Sequence, residues 1–211
     1  MGITIHYRGS IKDCSLIDKI QKEMADICNS MDWDYQLWNE DQSKPFDAKL
    51  VHAEQGASIE GHIPLRGISI VTDPKNESLD LLFNPEGKLS SFMLEILTHD
   101  DTLSKDHDWI FVKTQYGSID AHIAIVKLLR YLKQKYIPDL EVKDEGEYWE
   151  TNDKEHLMSK RGFLFGKMVQ FEKALSSIEF DHEPSTEEVV EKIEEIIGKM
   201  QEKSNPDLKD F

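Results

Sequence analysis

A strand that runs directly into a long apolar helix is the feature that most constrains the fold of this chain. Residues 110–112 are β-branched or aromatic, and Ser118 follows where its hydroxyl can cap a helix. From Ile119 onward the apolar residues cover more faces than a surface helix buries, so the pattern predicts a central helix lying across a sheet. Pro138 cannot continue it, and residues 140–142 are predicted to form a short strand.

The segments before this helix are typical of a helix and several short strands. A strand at 3–7 is followed by a helix that Asp13 or Ser15 caps and that ends near Met31; its apolar residues form one stripe. The turn at 84–87 contains proline and glycine and predicts a hairpin. The remaining predicted strands are 33–38, 68–71, 79–83 and 88–94.

Residues 39–62 show no sustained periodicity, and a loop of this length is unusual in a compact domain. Two interpretations are open: a short strand near 49–52, or a lid over a site. We favour the strand, because single-sequence patterns often miss short strands.

Two further helices are predicted after the central one. Asn152 and Glu155 have the spacing of a capping box, and so do Ser185 and Glu188. Because hairpins outnumber strand–helix–strand units, we expect an α+β fold: a two-layer sandwich of a mostly antiparallel sheet with helices on one face. We expect a core domain at 1–150 and a C-terminal helical pair at 151–211 packed on it.

The formal charge of −16 at pH 7 argues against binding to a nucleic acid backbone, which proteins contact with lysine and arginine. The acidity is unevenly distributed. Residues 139–155 contain eight acids and two bases, and residues 179–211 contain eleven acids and four bases. Such surfaces favour a basic or cationic protein partner, although solubility alone also explains them.

The two cysteines, Cys14 and Cys28, both fall on the first predicted helix, about 21 Å apart at the rise of an α-helix. This separation is too large for a disulfide, so we expect both thiols to be reduced. The chain contains no apolar run long enough to cross a membrane. We therefore expect a cytoplasmic protein that does not associate with membranes.

No motif of a nucleotide-binding or zinc enzyme occurs in the chain, and no cofactor follows from the sequence. His122, in the first turns of the central helix, is one candidate for chemistry, because the helix N-terminus favours a neutral imidazole that can act as a base or ligand. The alternative is a histidine at the edge of the core that is hydrogen-bonded to a carbonyl.

The acidic aromatic segment 144–150 is the second candidate. Carboxylates beside aromatic rings are found where proteins bind cations or sugars. The alternative is a solvated loop whose aromatic rings pack against the last helices. The residues predicted to bind a partner are Asp144, Glu145, Glu147, Tyr148 and Trp149.

A loop at 99–108 holds four weak candidates for metal binding, His99, Asp101, His107 and Asp108, but a flexible loop does not preorganise such ligands, and no metal site is predicted. The sequence favours a non-enzymatic binding or regulatory module that presents segment 144–150. The alternative is a metal-assisted hydrolase or lyase with a cleft at His122 and the 144–150 loop, in which His122, Glu145 and Glu150 are the catalytic candidates.

Overall fold

The structure, a computed structural model, describes residues 3–53, 56–104, 107–176 and 185–204. The chain divides into two compact units, Met1–Met158 and Ser159–Phe211, and the division falls within a helix. The predicted boundary at residue 150 and the packing of the second segment on the first stay predictions.

Nine strands and six helices are formed by the described residues. In chain order they are β1 Thr4–Arg8, α1 Leu16–Met31, β2 Asp34–Asn39, β3 Lys49–Ala53, β4 Gly56–Glu60, β5 Arg66–Val71, β6 Leu79–Phe83, β7 Leu89–Ser90, α2 Phe92–His99, β8 Ile110–Lys113, α3 Ile119–Lys135, β9 Glu141–Asp144, α4 Tyr148–Thr151, α5 Lys154–Ser176 and α6 Thr186–Ser204. None of the described helices is long and apolar enough to cross a membrane.

The strands form three antiparallel sheets, in the orders β8-β1-β9, β2-β5-β6-β7 and β3-β4. This arrangement of helices with antiparallel sheets confirms the predicted α+β class. In place of the single expected sheet there are three, and β1 pairs with β8 and β9, which come much later in the chain, within the first of them. Side chains of β1 and β8 alternate, so that Ile5, Tyr7, Ile110 and Val112 enter the core.

The predicted central helix is confirmed as α3, which buries eight residues. Its start is also confirmed, because the Ser118 hydroxyl accepts a hydrogen bond from the Ala121 amide. Glu23 of α1 ties the two long helices together. Its carboxylate accepts hydrogen bonds from Tyr131, Lys135 and Tyr136, and these lower the pKa of Glu23 to about 2.

The interpretation of residues 49–52 as a strand is confirmed by β3, which forms a hairpin with β4. The strand predicted at 88–94 is wrong beyond Ser90, because the chain turns into α2. The Ser91 hydroxyl accepts the Leu94 amide, and the Ser90 hydroxyl donates to Glu95. These local side-chain bonds stabilise a helix start in place of a longer hairpin strand.

The turn at Asn84–Gly87 is confirmed, with Gly87 at φ +77° and its amide bonded to the Asn84 carbonyl at 2.9 Å. The capping box before α6 is confirmed as well, since Ser185 and Glu188 bond each other's amides. The cap predicted at Asn152 is wrong. The carboxylate of Asp153 receives the first amides of α5, while Asn152 ends α4 in a left-handed conformation.

Candidate functional site: an acidic surface beside a buried histidine

The segment predicted as an acidic aromatic loop begins as a strand. Asp144 is the last residue of β9 and pairs with Ile5 of the central strand, so the strand predicted at 140–142 begins one residue and ends two residues further along the chain. Only residues 145–147 connect β9 to the single turn of α4. Glu145 and Glu147 therefore lie in a short turn that is held between two regular elements.

Asp144 and His122 form a buried pair beneath this connection. His122 Nε2 lies 3.1 Å from Asp144 Oδ2, and the side chains are 2% and 0% exposed. The other ring nitrogen, Nδ1, lies 2.7 Å from the hydroxyl of Thr114, which is itself 3.2 Å from the Ile3 carbonyl oxygen. Thr114, His122 and Asp144 thus connect the ends of β8 and β9 through α3; we call them the buried relay.

The Asp144 carboxylate also holds the backbone that follows it. Oδ1 accepts the Gly146 amide at 2.7 Å, and Oδ2 accepts the Trp149 amide at 3.0 Å. Burial alone raises the pKa of Asp144, but the hydrogen bonds and charge of His122, together with the two amides, outweigh it and lower the pKa below its ordinary value. The Asp144 carboxylate is therefore in its ionised form when it binds the amides at the start of α4.

The buried relay accommodates either protonation state of His122. With a neutral imidazole, Nε2–H donates to Asp144 and the Thr114 hydroxyl donates to Nδ1. With an imidazolium, Nδ1–H donates to the Thr114 oxygen, and the hydroxyl turns to the Ile3 carbonyl. The hydrogen bonds of the buried relay are therefore satisfied with either form of the imidazole.

Arg130 and Gly146 complete the support of α4. The Arg130 guanidinium donates to the carbonyl oxygens of Tyr148 and Trp149 in α4 and to the Asn152 side chain. Gly146 is closely packed, since a Cβ there would lie 2.6 Å from Leu157 Cδ1 and 3.1 Å from the His122 ring. The turn is therefore packed directly on the buried relay.

A shallow depression of about 430 Å³ opens above this support. We call it the acidic surface. It is lined by Lys143, Asp144, Glu145, Glu147, Glu150 and Thr151. Because the Asp144 side chain is 0% exposed, the charged groups that reach solvent here are the carboxylates of Glu145, Glu147 and Glu150 and the ammonium group of Lys143.

The structure brings some of the predicted site residues together and separates others. Glu145, Glu147 and Glu150 all line the acidic surface. Of the two aromatic residues predicted to bind a partner, Tyr148 is buried, with 6% of it accessible, and Trp149 is half-buried.

His122 is not among the residues that line the depression with Glu145 and Glu150. His122 is buried on the inner side of β9, and the Glu145 carboxylate turns to the Thr4 amide at 2.9 Å. Both ring nitrogens of His122 are already hydrogen-bonded within the protein.

The weak candidates for metal binding line a separate depression of about 420 Å³ beside α2. The His99 ring stacks on Phe46 with 3.9 Å between ring centroids. No three side chains of histidine, cysteine, aspartate or glutamate come together to hold a metal ion within the part of the chain that the structure describes.

Two histidines of the site have no signal in the sequence. His6 Nε2 lies 3.9 Å from Glu145, and His156 Nε2 lies 2.7 Å from Glu147. His6 stands on the first strand and His156 on α5, so strand register and helix packing bring them to segment 144–150. Cross-strand pairing of His6 with Lys143 follows from that register alone.

Comparison of the chain with protein-family models, with curated proteins and with solved structures finds no match. The geometry of the acidic surface and of the buried relay beneath it is therefore the basis for a proposed function.

Proposed function

We propose that the protein is a non-enzymatic cytoplasmic binding module whose acidic surface holds a lysine- or arginine-containing segment of a partner protein. The observation that carries the proposal is the preorganisation of the carboxylates. The buried Asp144 carboxylate accepts three hydrogen bonds, two of them from the Gly146 and Trp149 amides. Gly146 lies in the turn between Glu145 and Glu147, and Arg130 donates to the Trp149 carbonyl after this turn. Carboxylates on a rigid support lose little conformational entropy when they bind a cation.

Solvent access supports binding more than catalysis at this position. Glu145 and Glu147 have side chains that are 47% and 45% exposed, and Glu150 is exposed. The most basic group of the buried relay, the His122 imidazole, lies behind β9 and out of reach of a substrate. The two free thiols, Cys14 and Cys28, accord with the proposed reducing compartment.

The test is titration calorimetry with a short, acetylated and amidated peptide of alternating lysine and glycine. We expect saturable binding that weakens as salt is added, because exposed charges are screened. The double variant E145Q/E150Q should bind roughly fivefold more weakly, since two exposed ion pairs contribute on the order of 1 kcal/mol together.

The double variant E60Q/E86Q is the matched control, because Glu60 and Glu86 are exposed carboxylates outside the acidic surface. It removes the same charge from the chain as E145Q/E150Q and should leave the affinity unchanged. An equal loss of affinity in both variants would mean that overall charge, and not this surface, attracts the peptide.

A further inference from the structure

β2 is an outer strand of the four-stranded sheet β2-β5-β6-β7. It pairs with β5 residue by residue from Asp34 to Asn39, without a bulge, and among the described strands it pairs with β5 alone. An edge strand carries a row of backbone amides and carbonyls that point away from its neighbour. β2 therefore presents a regular outer edge to which another strand can be added.

The edges of two other strands are short or covered. β7, at the far end of the same sheet, has two residues. At β8, the Glu77 carboxylate accepts the Lys113 amide at 3.0 Å, and the Glu77 amide donates to the Lys113 carbonyl at 3.2 Å. β2 has six residues and contains neither proline nor lysine, which commonly protect an edge.

The open part of the β2 edge is residues 34–37. At the end of the strand, Gln21 of α1 donates to the Trp38 carbonyl at 3.0 Å. Within the described ranges, the backbone of residues 34–37 has hydrogen-bond partners in β5 alone. These residues are also exposed, so a partner strand can reach them.

The apolar face of the sheet continues onto this edge. Ile68 and Ile70 of β5 are buried, and their cross-strand partners on β2 are Leu37 and Tyr35. Leu37 is 44% exposed and Tyr35 is 36% exposed. Because cross-strand partners lie on the same face, a strand added to β2 would extend the buried layer and cover both side chains.

The charges beside β2 distinguish between a second copy of this chain and a basic partner. Asp32 and Asp34 stand at the start of β2, and Glu40 and Asp41 follow its end. Within the described ranges, these acids have one ionic partner of fixed charge, Lys44, which lies 4.0 Å from Asp41. Two copies of β2 that paired in either direction would bring acids together, and like charges opposite each other are destabilising. The charges therefore favour a segment that carries lysine or arginine.

We propose that the outer edge of β2 binds an extended, basic segment of a partner protein as an added antiparallel strand. Alternate apolar side chains of the segment cover Tyr35 and Leu37, and its lysine or arginine residues meet the acids at the ends of β2. Antiparallel pairing continues the pattern of the whole sheet. This is a second binding surface, because no residue of β2 lines the acidic surface.

The probe is an acetylated and amidated peptide, Lys-Thr-Val-Thr-Val-Thr-Lys, whose affinity is measured by titration calorimetry. Two derivatives carry N-methyl groups, one on the odd and one on the even residues, so each keeps its charge and side chains but loses the amide donors of one edge. An added strand uses one edge. One derivative should therefore bind like the unmodified peptide, and the other at least about tenfold more weakly. Equal affinities of the two derivatives, or no binding of the unmodified peptide, would overturn the proposal.

Leu37→Thr and Leu50→Thr are a matched pair of variants. Leu37 is 44% exposed on β2 and Leu50 is 45% exposed on β3, and threonine is favourable in strands. L37T should weaken binding of the unmodified peptide roughly threefold, because it removes an apolar cross-strand contact. L50T should leave the affinity unchanged. Equal losses in both variants would show that the peptide does not recognise β2.

Two measurements check the nature of the occupant. A peptide with glutamate in place of both lysines should bind roughly tenfold more weakly at low salt, because attraction is replaced by repulsion. An equal affinity would overturn the basic character of the partner. The protein should sediment as a monomer at the concentration of the assay. A dimer that L37T weakens would make a second copy the occupant and overturn the proposal.

The variant E145Q/E150Q separates this surface from the proposed function. It should bind the valine–threonine peptide as the parent does, even if it binds the lysine–glycine peptide more weakly. A loss of affinity for both peptides in this variant would place the valine–threonine peptide at the acidic surface and overturn the proposal for β2. A parent that binds the valine–threonine peptide at one edge but not the lysine–glycine peptide would support β2 and refute the proposed function.

Discussion

Replacing Asp144 by asparagine tests the buried relay directly, because the two side chains have the same shape and differ in one hydrogen-bonding atom. Oδ1 receives the Gly146 amide, and Oδ2 receives both His122 Nε2–H and the Trp149 amide. All of these groups are donors, so the amide nitrogen of asparagine faces a donor in either orientation.

The less costly orientation places the asparagine nitrogen at the position of Oδ2. His122 then moves its proton to Nδ1 and accepts from the asparagine, while the Thr114 hydroxyl donates to the Ile3 carbonyl. The Trp149 amide remains without an acceptor. Leaving one buried donor unpaired costs about 1–3 kcal/mol, so we expect D144N to lower the free energy of unfolding by about 2 kcal/mol.

The assay is urea denaturation at pH 7, followed by a thermal melt. For a protein of this length, about 2 kcal/mol corresponds to a decrease of roughly 4–8 °C in Tm. Asp26→Asn is the control, since Asp26 is exposed on α1. Nitrogen NMR of the His122 ring should report the change of tautomer in D144N. A variant as stable as the parent, with an unchanged tautomer, would refute the assigned hydrogen bonds.

The pH dependence follows from the lowered pKa of Asp144. A carboxylate whose pKa is lower in the folded state contributes stability above the ordinary carboxyl pKa, and that contribution is lost as pH falls through the folded-state pKa. The difference between the parent and D144N should therefore be largest near neutral pH and should vanish in strong acid.

Three further changes have defined outcomes. Gly67→Ala should destabilise the protein by about 2 kcal/mol or more in urea denaturation, because Gly67 has φ +150° and a Cβ would overlap the Leu81 carbonyl oxygen; an unchanged denaturation midpoint would contradict this packing. Glu23→Gln should cost about 1 kcal/mol at pH 7, less than the full pKa shift implies because the side chain is 27% exposed. The cost should disappear as pH falls from 4.5 to about 2, the ordinary and folded pKa values of Glu23, so a constant difference across that range would contradict the assignment. Gly87→Val should lower Tm, with a loss of more than about 1 kcal/mol, because its φ is +77° and a Cβ would lie 2.6 Å from the Ile11 carbonyl oxygen; a Tm equal to that of the parent would refute the strained turn.

Local signals in the sequence predicted the parts of the fold that depend on neighbouring residues. Ser118 caps α3 and Ser185 caps α6 because each hydroxyl reaches an amide three positions ahead. The turn at Asn84–Gly87 is likewise set by its own four residues. At Asn152 and Asp153 either side chain could cap α5. Asp153 does so because Asn152 ends the preceding helix, α4.

The candidate site was only partly predictable, because its contacts depend on distant residues. Glu145, Glu147 and Glu150 stood out by composition. The burial of Tyr148 and the pairing of Asp144 with His122 arise from packing between α3, β9 and α4. His6 reaches Glu145 only because β1 and β9 pair in one register, and a shift by one residue would turn it to the opposite face.

The position of β1 between β8 and β9 sets a condition on how the first unit folds. The Thr114 hydroxyl meets the Ile3 carbonyl across 111 positions of the chain, and β9 pairs with β1 from still further away. Closing such long loops slows folding, because entropy is lost before the contacts form. During synthesis β1 leaves the ribosome long before either partner exists, so its place between β8 and β9 cannot be completed until residue 144 emerges.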